Sequence, residues 1–247
     1  MPTLIRLFFA GVILSLVRTT ATSQISLQAG GGLGVLVPTK DYDGSTIDYY
    51  RGTKYGLSNG INLHGKARVG FAGITLVGEL DYSSLSNSGN SEPGQGRVEV
   101  SQKVYTFRAG PEFHLSIPAV PIAPYVGVSA AINRFTGETT FQGVSKVPSA
   151  TFVVESASRL GLGLGGGVIV KLNPSLSLDV GMQYNIMNLT GRSWEDLNPL
   201  QDQRLDSYLA LNDDRDPAFR PSEDKHFISS ERSIRSILFT VTLLFDL

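Results

Sequence analysis

The sequence S-I-R-S-I-L-F-T-V-T-L-L-F-D-L, residues 233–247, decides the fold of this chain. From Ile237 onward every second residue is large and apolar, and the residues between them are mixed. A period of two places alternate side chains on opposite faces of an extended strand. The stretch is therefore predicted to be a β-strand with one fully apolar face. That face consists of Ile237, Phe239, Val241, Leu243, Phe245 and Leu247.

Seven further segments alternate in the same way, which gives eight predicted strands. The clearest is 158–172, where leucine and valine alternate with glycine and charged residues. Predicted strands of ten or more residues match a tilted bilayer crossing, whereas strands of soluble proteins average about five or six. The other six segments are 24–37, 59–71, 74–85, 97–115, 122–135 and 176–189.

The connections between these segments alternate between long and short. Long connections follow the first, third, fifth and seventh strands, at 38–58, 86–96, 136–157 and 190–232. This layout is typical of an up-and-down barrel with tight periplasmic turns, longer extracellular loops and both termini in the periplasm. The predicted fold is all-β, an eight-stranded antiparallel up-and-down transmembrane β-barrel.

The start of the chain has the pattern of a targeting segment. Arg6 precedes an eleven-residue apolar run at 7–17, which is too short for a membrane-spanning helix and suits the core of a signal peptide. Small residues before position 24 predict cleavage after Ser23. We therefore interpret 1–23 as a signal peptide and 24–247 as a single barrel domain.

The composition excludes several classes of function. The formal net charge is −1, so the basic surface that nucleic acid binding needs is missing, and we expect no nucleic acid partner. The absence of cysteine excludes disulfides, thiolate metal sites and cysteine nucleophiles. No cofactor and no metal ion is expected.

Charged residues and glycines share the face opposite the apolar one. Long charged side chains beside glycines pack well in a narrow lumen, whereas so many glycines on a water-exposed face would weaken the strands. We expect the charged face to line the lumen, where an unpaired charge is costly. If 72–73 is a two-residue turn, Lys66 lies opposite Glu79 and His64 lies opposite Asp81. The predicted lumen network consists of Lys66, Arg68, Glu79, Asp81, Arg108, Glu112, Arg159, Asp179 and Arg235.

Two internal motifs carry a family resemblance: YTFRAGPEF at 105–113 and APYVGVSAA at 123–131. With the signal peptide, the eight strands and the apolar last strand, the chain resembles the outer-membrane β-barrel family typified by the transmembrane domain of outer-membrane protein A. The resemblance covers nearly all of 24–247. It implies a place in the bacterial outer membrane, contact with outer-membrane lipid, and recognition of 233–247 by the barrel-insertion machinery.

The chain departs from that family in two ways. It ends in Leu247 where the family most often ends in phenylalanine, although Phe245 lies two positions earlier, and no peptidoglycan-binding domain follows the barrel in this sequence.

The last long loop, 190–232, is the main functional candidate. It holds too many apolar residues for a disordered segment, so we expect a folded cap over the barrel mouth or a surface for a protein partner. Its acidic run at 212–217 lacks the glycine and the distant glutamate of a calcium loop and is expected to be solvated. No spacing around His226 matches a catalytic motif, so we do not expect an enzyme.

Three functions stay open on the sequence alone. The first is a structural or interaction barrel with a plugged polar lumen, acting through its outer loops. The second is a narrow porin-like channel for small solutes, and the third is an outer-membrane barrel enzyme. The five cations and four anions of the predicted network nearly balance and are expected to pair, which favours the plugged lumen.

Overall fold

The computed structural model is a closed antiparallel barrel in which each strand pairs with its neighbours in sequence and the last pairs with the first. The strands are β1 (Ser26–Lys40), β2 (Gly60–Phe71), β3 (Ile74–Glu92), β4 (Gln95–His114), β5 (Ile122–Gln142), β6 (Thr151–Asn173), β7 (Leu176–Thr190) and β8 (Ile234–Asp246). The structure describes residues 26–71, 74–92, 95–115, 120–145, 147–195, 197, 206–220 and 228–247. The predicted signal peptide, 1–23, lies outside the described residues.

The two ends of the barrel differ. One end, here called the turn end, carries the close connections β2–β3, β4–β5 and β6–β7 together with Ser26 and Leu247. The opposite end, here called the loop end, carries the other connections, including 41–59 and 191–233. The all-β topology agrees with the sequence prediction. The connection lengths do not alternate strictly, because only residues 93–94 separate β3 from β4 at the loop end, whereas residues 115–121 separate β4 from β5 at the turn end.

Two short helices lie in the connections of the loop end. Helix α1 (Thr46–Tyr50) follows β1, and helix α2 (Asp206–Leu209) precedes β8. In α1, the hydroxyl of Ser45 accepts a hydrogen bond from the backbone N–H of Asp48, whose carboxylate accepts one from the N–H of Ser45, which forms a capping box. Neither of these described helices is long enough to span a bilayer.

The register between β2 and β3 follows from the close turn between them. Phe71 lies opposite Ile74, and stepping back along both strands places Lys66 opposite Glu79 and His64 opposite Asp81. These pairings are as predicted, because side chains directly opposite in an antiparallel pair share one face of the sheet. The register therefore places all four of these polar side chains in the interior of the barrel.

The outer face of the barrel is apolar across its middle. On β8 the exposed residues are the ones predicted, with Phe239, Val241 and Leu243 each almost half exposed. Leucine occupies the exposed positions 160, 162 and 164 of β6, where the intervening residues face inward. An apolar outer band of this kind faces lipid in transmembrane barrels.

Aromatic residues mark the edge of this band toward the loop end. The rings of Tyr82 and Tyr105 contact each other on the outer face, with centroids 5.2 Å apart. One pair further toward the loop end, Ser84 lies opposite Lys103. The outer surface therefore changes from apolar to polar at the level of the two tyrosines, as it does at a membrane interface.

Strands β3 to β6 are longer than predicted and form a tall wall at the loop end. The predicted loop 136–157 is reduced to 143–150, because β5 continues to Gln142 and β6 begins at Thr151. The predicted loop 86–96 is likewise mostly strand. These segments were predicted as loops because the polarity of the two sheet faces is inverted there. Beyond the tyrosine pair the inward residues, such as Val98 and Phe141, are apolar and buried.

The other two predicted loops change less. Residues 38–40 of the predicted loop 38–58 belong to β1, and α1 lies within the rest. Of the predicted loop 190–232, Thr190 belongs to β7.

Candidate functional site

Seven charged side chains form one contiguous network inside the barrel. They come from four strands, and each occupies an inward position fixed by the sheet register. All seven are buried, and each has at least one oppositely charged partner within 3.3 Å. The members of this lumen network are Lys66, Arg68, Glu79, Asp81, Arg108, Glu112 and Asp179.

Asp179 lies at the centre of the network. Its side chain is fully buried, and Oδ2 accepts hydrogen bonds from Lys66 Nζ at 3.0 Å and from Arg68 Nη2 at 2.9 Å. The hydroxyl of Tyr125 donates to Oδ1 at 2.7 Å. One carboxylate from β7 therefore joins two cations of β2 to a tyrosine of β5 across the lumen.

The remaining pairs extend the network toward both ends. Arg68 Nε donates to Glu112 at 2.9 Å, and the Arg68 guanidinium lies over the ring of Tyr125 at 4.9 Å. Lys66 is 3.3 Å from Glu79. Arg108 Nε donates to Asp81 at 2.9 Å, which closes the network on the loop-end side. Buried charges paired this closely hold each other in place.

The predicted pairing of His64 with Asp81 forms no ion pair. The two residues are opposite in register, but His64 Nδ1 hydrogen-bonds to Asn62 and Nε2 to Thr242, while Asp81 pairs with Arg108. His64, Glu79 and Asp81 place donor atoms within 4.8 Å of one another, a spacing that suits a metal ion. The two carboxylates are already paired with Lys66 and Arg108, however, so the cluster is an interior polar network.

Two predicted members lie outside the network. Arg159 faces inward, but it pairs with Asp213 of the last loop at 2.8 Å. Arg235 was wrongly predicted to face the lumen: it shares its parity with Phe239, lies opposite Ile186, and points to the hydroxyl of Tyr184 on the outer face. Its neighbours Ile234 and Ser236 are the fully buried, inward residues.

Because Arg159 and Arg235 lie outside the lumen network, its charge balance differs from the predicted one. Within the described lumen network three cations, Lys66, Arg68 and Arg108, face four carboxylates. Each of the three cations contacts at least one carboxylate, and Lys66 and Arg68 contact two each.

The loop end is filled by residues of the two connections 41–59 and 191–233, here called the cap. Tyr49 hydrogen-bonds to Thr139 of β5 at 2.8 Å, and Tyr42 donates to Gln102 of β4 at 2.7 Å. Tyr208 joins the two halves of the cap by donating to the carbonyl of Tyr50 at 2.7 Å. The described residues of the cap thus pack against the inner face of the tall wall.

Charged residues anchor the cap as well. Asp213 is fully buried and accepts from Arg159, from Asn188 and from the backbone N–H of Ser193. The prediction of a solvated acidic run at 212–217 is therefore wrong for its buried members, because these polar groups are bound within the cap.

Arg232 supports the same region and was not predicted. Its guanidinium donates to the carbonyl of Asn212 at 2.6 Å and lies 4.1 Å from the ring centroid of Tyr55. The signal that could have revealed the cap is the density of tyrosine in the first loop, at positions 42, 49, 50 and 55. The candidate catalytic residue His226 lies outside the described residues.

Burial changes the titration of the cap tyrosines. It raises the pKa of Tyr49 to about 12, although the hydrogen bond to Thr139 and the charge of Arg232 act in the opposite direction. Burial also raises the pKa of Tyr42 and of Tyr55. A phenol with a raised pKa in the folded state stabilises that state below its ordinary pKa of about 10, and the contribution is lost as the pH rises through the folded-state value.

We therefore expect the cap to loosen between about pH 10 and pH 12. Ultraviolet absorbance of tyrosinate should show a late step near pH 12 that disappears in Tyr49→Phe. Protease cleavage of the cap should increase over the same range. A Tyr49 phenol that ionises together with the exposed tyrosines would contradict this prediction.

Two cavities flank the lumen network. A cavity of about 50 Å³ lies against Lys66, Glu79 and Arg108 and has room for only a few water molecules. A larger cavity of about 370 Å³, here called the vestibule, lies at the turn end and is lined by residues including Arg68, His114 and Lys171. The network thus separates a polar vestibule from the capped half of the barrel.

A closed antiparallel barrel with an apolar outer band and a charged interior defines a transmembrane β-barrel protein. The chain belongs to the outer membrane protein beta-barrel domain family, which it matches over residues 7–203. It is therefore a protein of the bacterial outer membrane, and the family resemblance of its sequence is confirmed. No curated protein matches the chain significantly.

Several solved structures are similar to the chain. Neisserial surface protein A is 14% identical, with 90% of this chain and 96% of that chain covered and a TM-score of 0.47. Ail, the attachment invasion locus protein of Yersinia pestis, is 12% identical, with 92% and 100% covered and a TM-score of 0.43. The N-terminal β-barrel domain of Pseudomonas aeruginosa OprF is 9% identical, with 92% and 100% covered and a TM-score of 0.42.

Proposed function

We propose that this protein is a structural or interaction barrel of the outer membrane with a plugged polar lumen, and that it acts through its loop end without catalysing a reaction. The observation that carries this proposal is the continuity of buried contacts across the interior. Asp179 joins opposite sides of the lumen to the cations of β2, and Asp213 anchors the cap above them. These contacts favour a rigid plug over a permanent pore.

The size of the barrel supports the plug. The interior of an eight-stranded barrel is just wide enough for side chains to fill. Here the side chains are long, charged and paired, and the cavity beside them is about 50 Å³. A hydrated ion would have to displace buried ion pairs to pass, and breaking such a pair is costly.

Planar bilayer recordings test the plug. We expect wild-type protein to give no steady conductance, because the lumen network and the cap both block the path. Steady, ion-selective current from the wild-type protein would refute the plugged lumen and support the narrow porin-like channel instead.

The orientation in the membrane is part of the proposal. Transmembrane barrels carry short turns on the periplasmic side and longer loops outside, so we place the turn end and both termini in the periplasm. The loop end then presents its exposed residues to the exterior, among them Val153 and Leu197, which is 42% exposed. Exposed apolar residues on a loop scaffold suit a protein partner.

Introduced cysteines test the orientation and the partner together, because the chain has no cysteine of its own. Leu197→Cys should react with an impermeant maleimide on intact cells and should form cross-links to a protein. Asn173→Cys, at the exposed end of β6 beside the turn to β7, should react only after permeabilisation. Labelling of Asn173→Cys on intact cells would reverse the orientation, and the absence of cross-links from Leu197→Cys would remove the interaction role of that site.

Recognition of residues 233–247 by the barrel-insertion machinery completes the proposal. Phe245 is 51% exposed on the outer face, close to the turn end. We expect Phe245→Asp to block assembly, because it places a charge on the lipid face and disrupts the apolar face of β8. The lipid-face term is below the roughly 2–4 kcal/mol of Arg or Lys at the midplane, so loss of recognition should dominate.

The measurement is the heat-dependent shift of the folded band on a gel, with Asp246→Asn as a control on the neighbouring residue. Normal amounts of the folded form of Phe245→Asp in the outer membrane would contradict recognition through this strand.

A further inference from the structure

The vestibule at the turn end contains a buried cation that is only partly used by the lumen network. Arg68 is 1% exposed and lines the vestibule. Its Nε donates to Glu112 and its Nη2 to Asp179, but Nη1 has no hydrogen-bond partner among the described residues. A guanidinium presents five N–H donors in a fixed fork, and the buried Nη1 corner of this fork is left unused by the described protein groups.

A histidine ring lines the same cavity. Nε2 of His114 is buried and forms no hydrogen bond with the described protein atoms, although Oε2 of Glu112 is 3.3 Å away. The imidazole stacks on the ring of Tyr125, with centroids 5.5 Å apart, which fixes its position beside Arg68. Lys171 contributes a third cationic group at the cavity wall.

The three groups come from three different strands. Arg68 is on β2, His114 on β4 and Lys171 on β6, so they surround the vestibule from several directions. Hydroxyl groups of Ser26, Thr75 and Ser177 also line it. A phosphate group has several oxygens that accept hydrogen bonds from different directions, and arginine and lysine are its usual partners in proteins.

The other side of the vestibule is apolar. Val120 and Ile122 are 44% and 37% exposed, respectively, and lie on the vestibule wall together with Ala123. An apolar rim beside cationic groups suits a phosphate that carries a hydrocarbon portion, as a phospholipid does.

We propose that the turn-end vestibule is a binding site for a phosphate group, held by Arg68 Nη1, His114 and Lys171. The phosphate belongs either to a phospholipid headgroup, whose chains lie along Val120 and Ile122, or to a free phosphate ester. This site is separate from the plug and from the loop-end surface of the proposed function.

Calorimetric titration of the full chain in a nonionic detergent tests the proposal. One titrant is inorganic phosphate and the other is short-chain phosphatidylglycerol. Binding of phosphatidylglycerol at least tenfold tighter than of phosphate identifies the lipid headgroup as the source, and comparable affinities identify the free anion. Failure of both titrants to bind overturns the site.

Variants separate this site from general attraction to anions. Lys171→Ala and His114→Ala should each weaken binding at least threefold, while the gel shift of the folded protein persists. The matched control is Lys103→Ala, which removes an exposed lysine at the loop end. Equal losses in Lys171→Ala and Lys103→Ala would overturn the assignment.

Discussion

Replacing Asp179 by alanine is expected to destabilise the barrel by about 3–5 kcal/mol, which is the range for breaking a buried ion pair by removing one partner. The carboxylate is fully buried and is shared by Lys66 and Arg68, so its loss leaves two neighbouring cations of β2 with one carboxylate partner each. The hydroxyl of Tyr125 loses its acceptor at the same time. Urea unfolding of refolded protein, followed by the heat-dependent gel shift, measures the change.

The matched control for Asp179→Ala is Glu99→Ala. Glu99 pairs with Arg97 on the outer face of β4, where both side chains are about half exposed. Removing an exposed pair costs about 0–1 kcal/mol, so the two variants should differ by several-fold in their effect. An unfolding midpoint of Asp179→Ala that equals the wild-type value would show that the lumen charges do not hold the barrel together.

A double-mutant cycle extends this test to the pair of Lys66 and Glu79. Glu79→Ala should destabilise the barrel, and Lys66→Ala in the same chain should recover part of the loss, because no uncompensated lysine is then left at that position. Recovery should be incomplete, since Lys66 also neutralises Asp179.

The sequence was sufficient to predict the barrel and part of the network because both depend on period two. Lys66 and Glu79 could be paired in advance, since the close turn after Phe71 fixes the register of β2 against β3. The partner of Asp81 could not be predicted in this way. The turn after Phe71 sets the pairing of β3 with β2, whereas Arg108 contacts Asp81 from β4. The error at Arg235 was one of parity: odd positions of β8 face outward, as the neighbouring Phe239 already indicated.

The long strands at the loop end were not predicted, for a different reason. The prediction assumed that apolar residues face lipid, but beyond Tyr82 and Tyr105 the apolar residues face inward under the cap. The connections that form the cap show no regular alternation of apolar and polar residues from which their structure could be predicted. Its anchor joins Arg159 to Asp213, which are 54 residues apart in the sequence, and such a contact depends on the three-dimensional path of the loop.

Releasing that anchor is expected to separate the cap from the lumen plug. In Asp213→Ala, the hydrogen-bond partners left to the buried guanidinium of Arg159 among the described residues are the hydroxyl of Ser193 and the carbonyl of Ser158, and Asn188 loses one acceptor. An uncompensated buried charge costs about 3–5 kcal/mol, so we expect the cap to open and expose the guanidinium to water. We expect trypsin to cleave after the exposed Arg215 in this variant.

The conductance of Asp213→Ala then decides which element closes the barrel. The lumen network contains no cap residue, so it should stay intact, and no steady current is expected even when the cap is open. Asp214→Ala is the matched control, because it removes the neighbouring carboxylate, whose described contact is to the adjacent backbone N–H of Arg215. Resistance of Asp213→Ala to trypsin would contradict the anchor, whereas steady current through it would assign the closure to the cap and not to Asp179 and its partners.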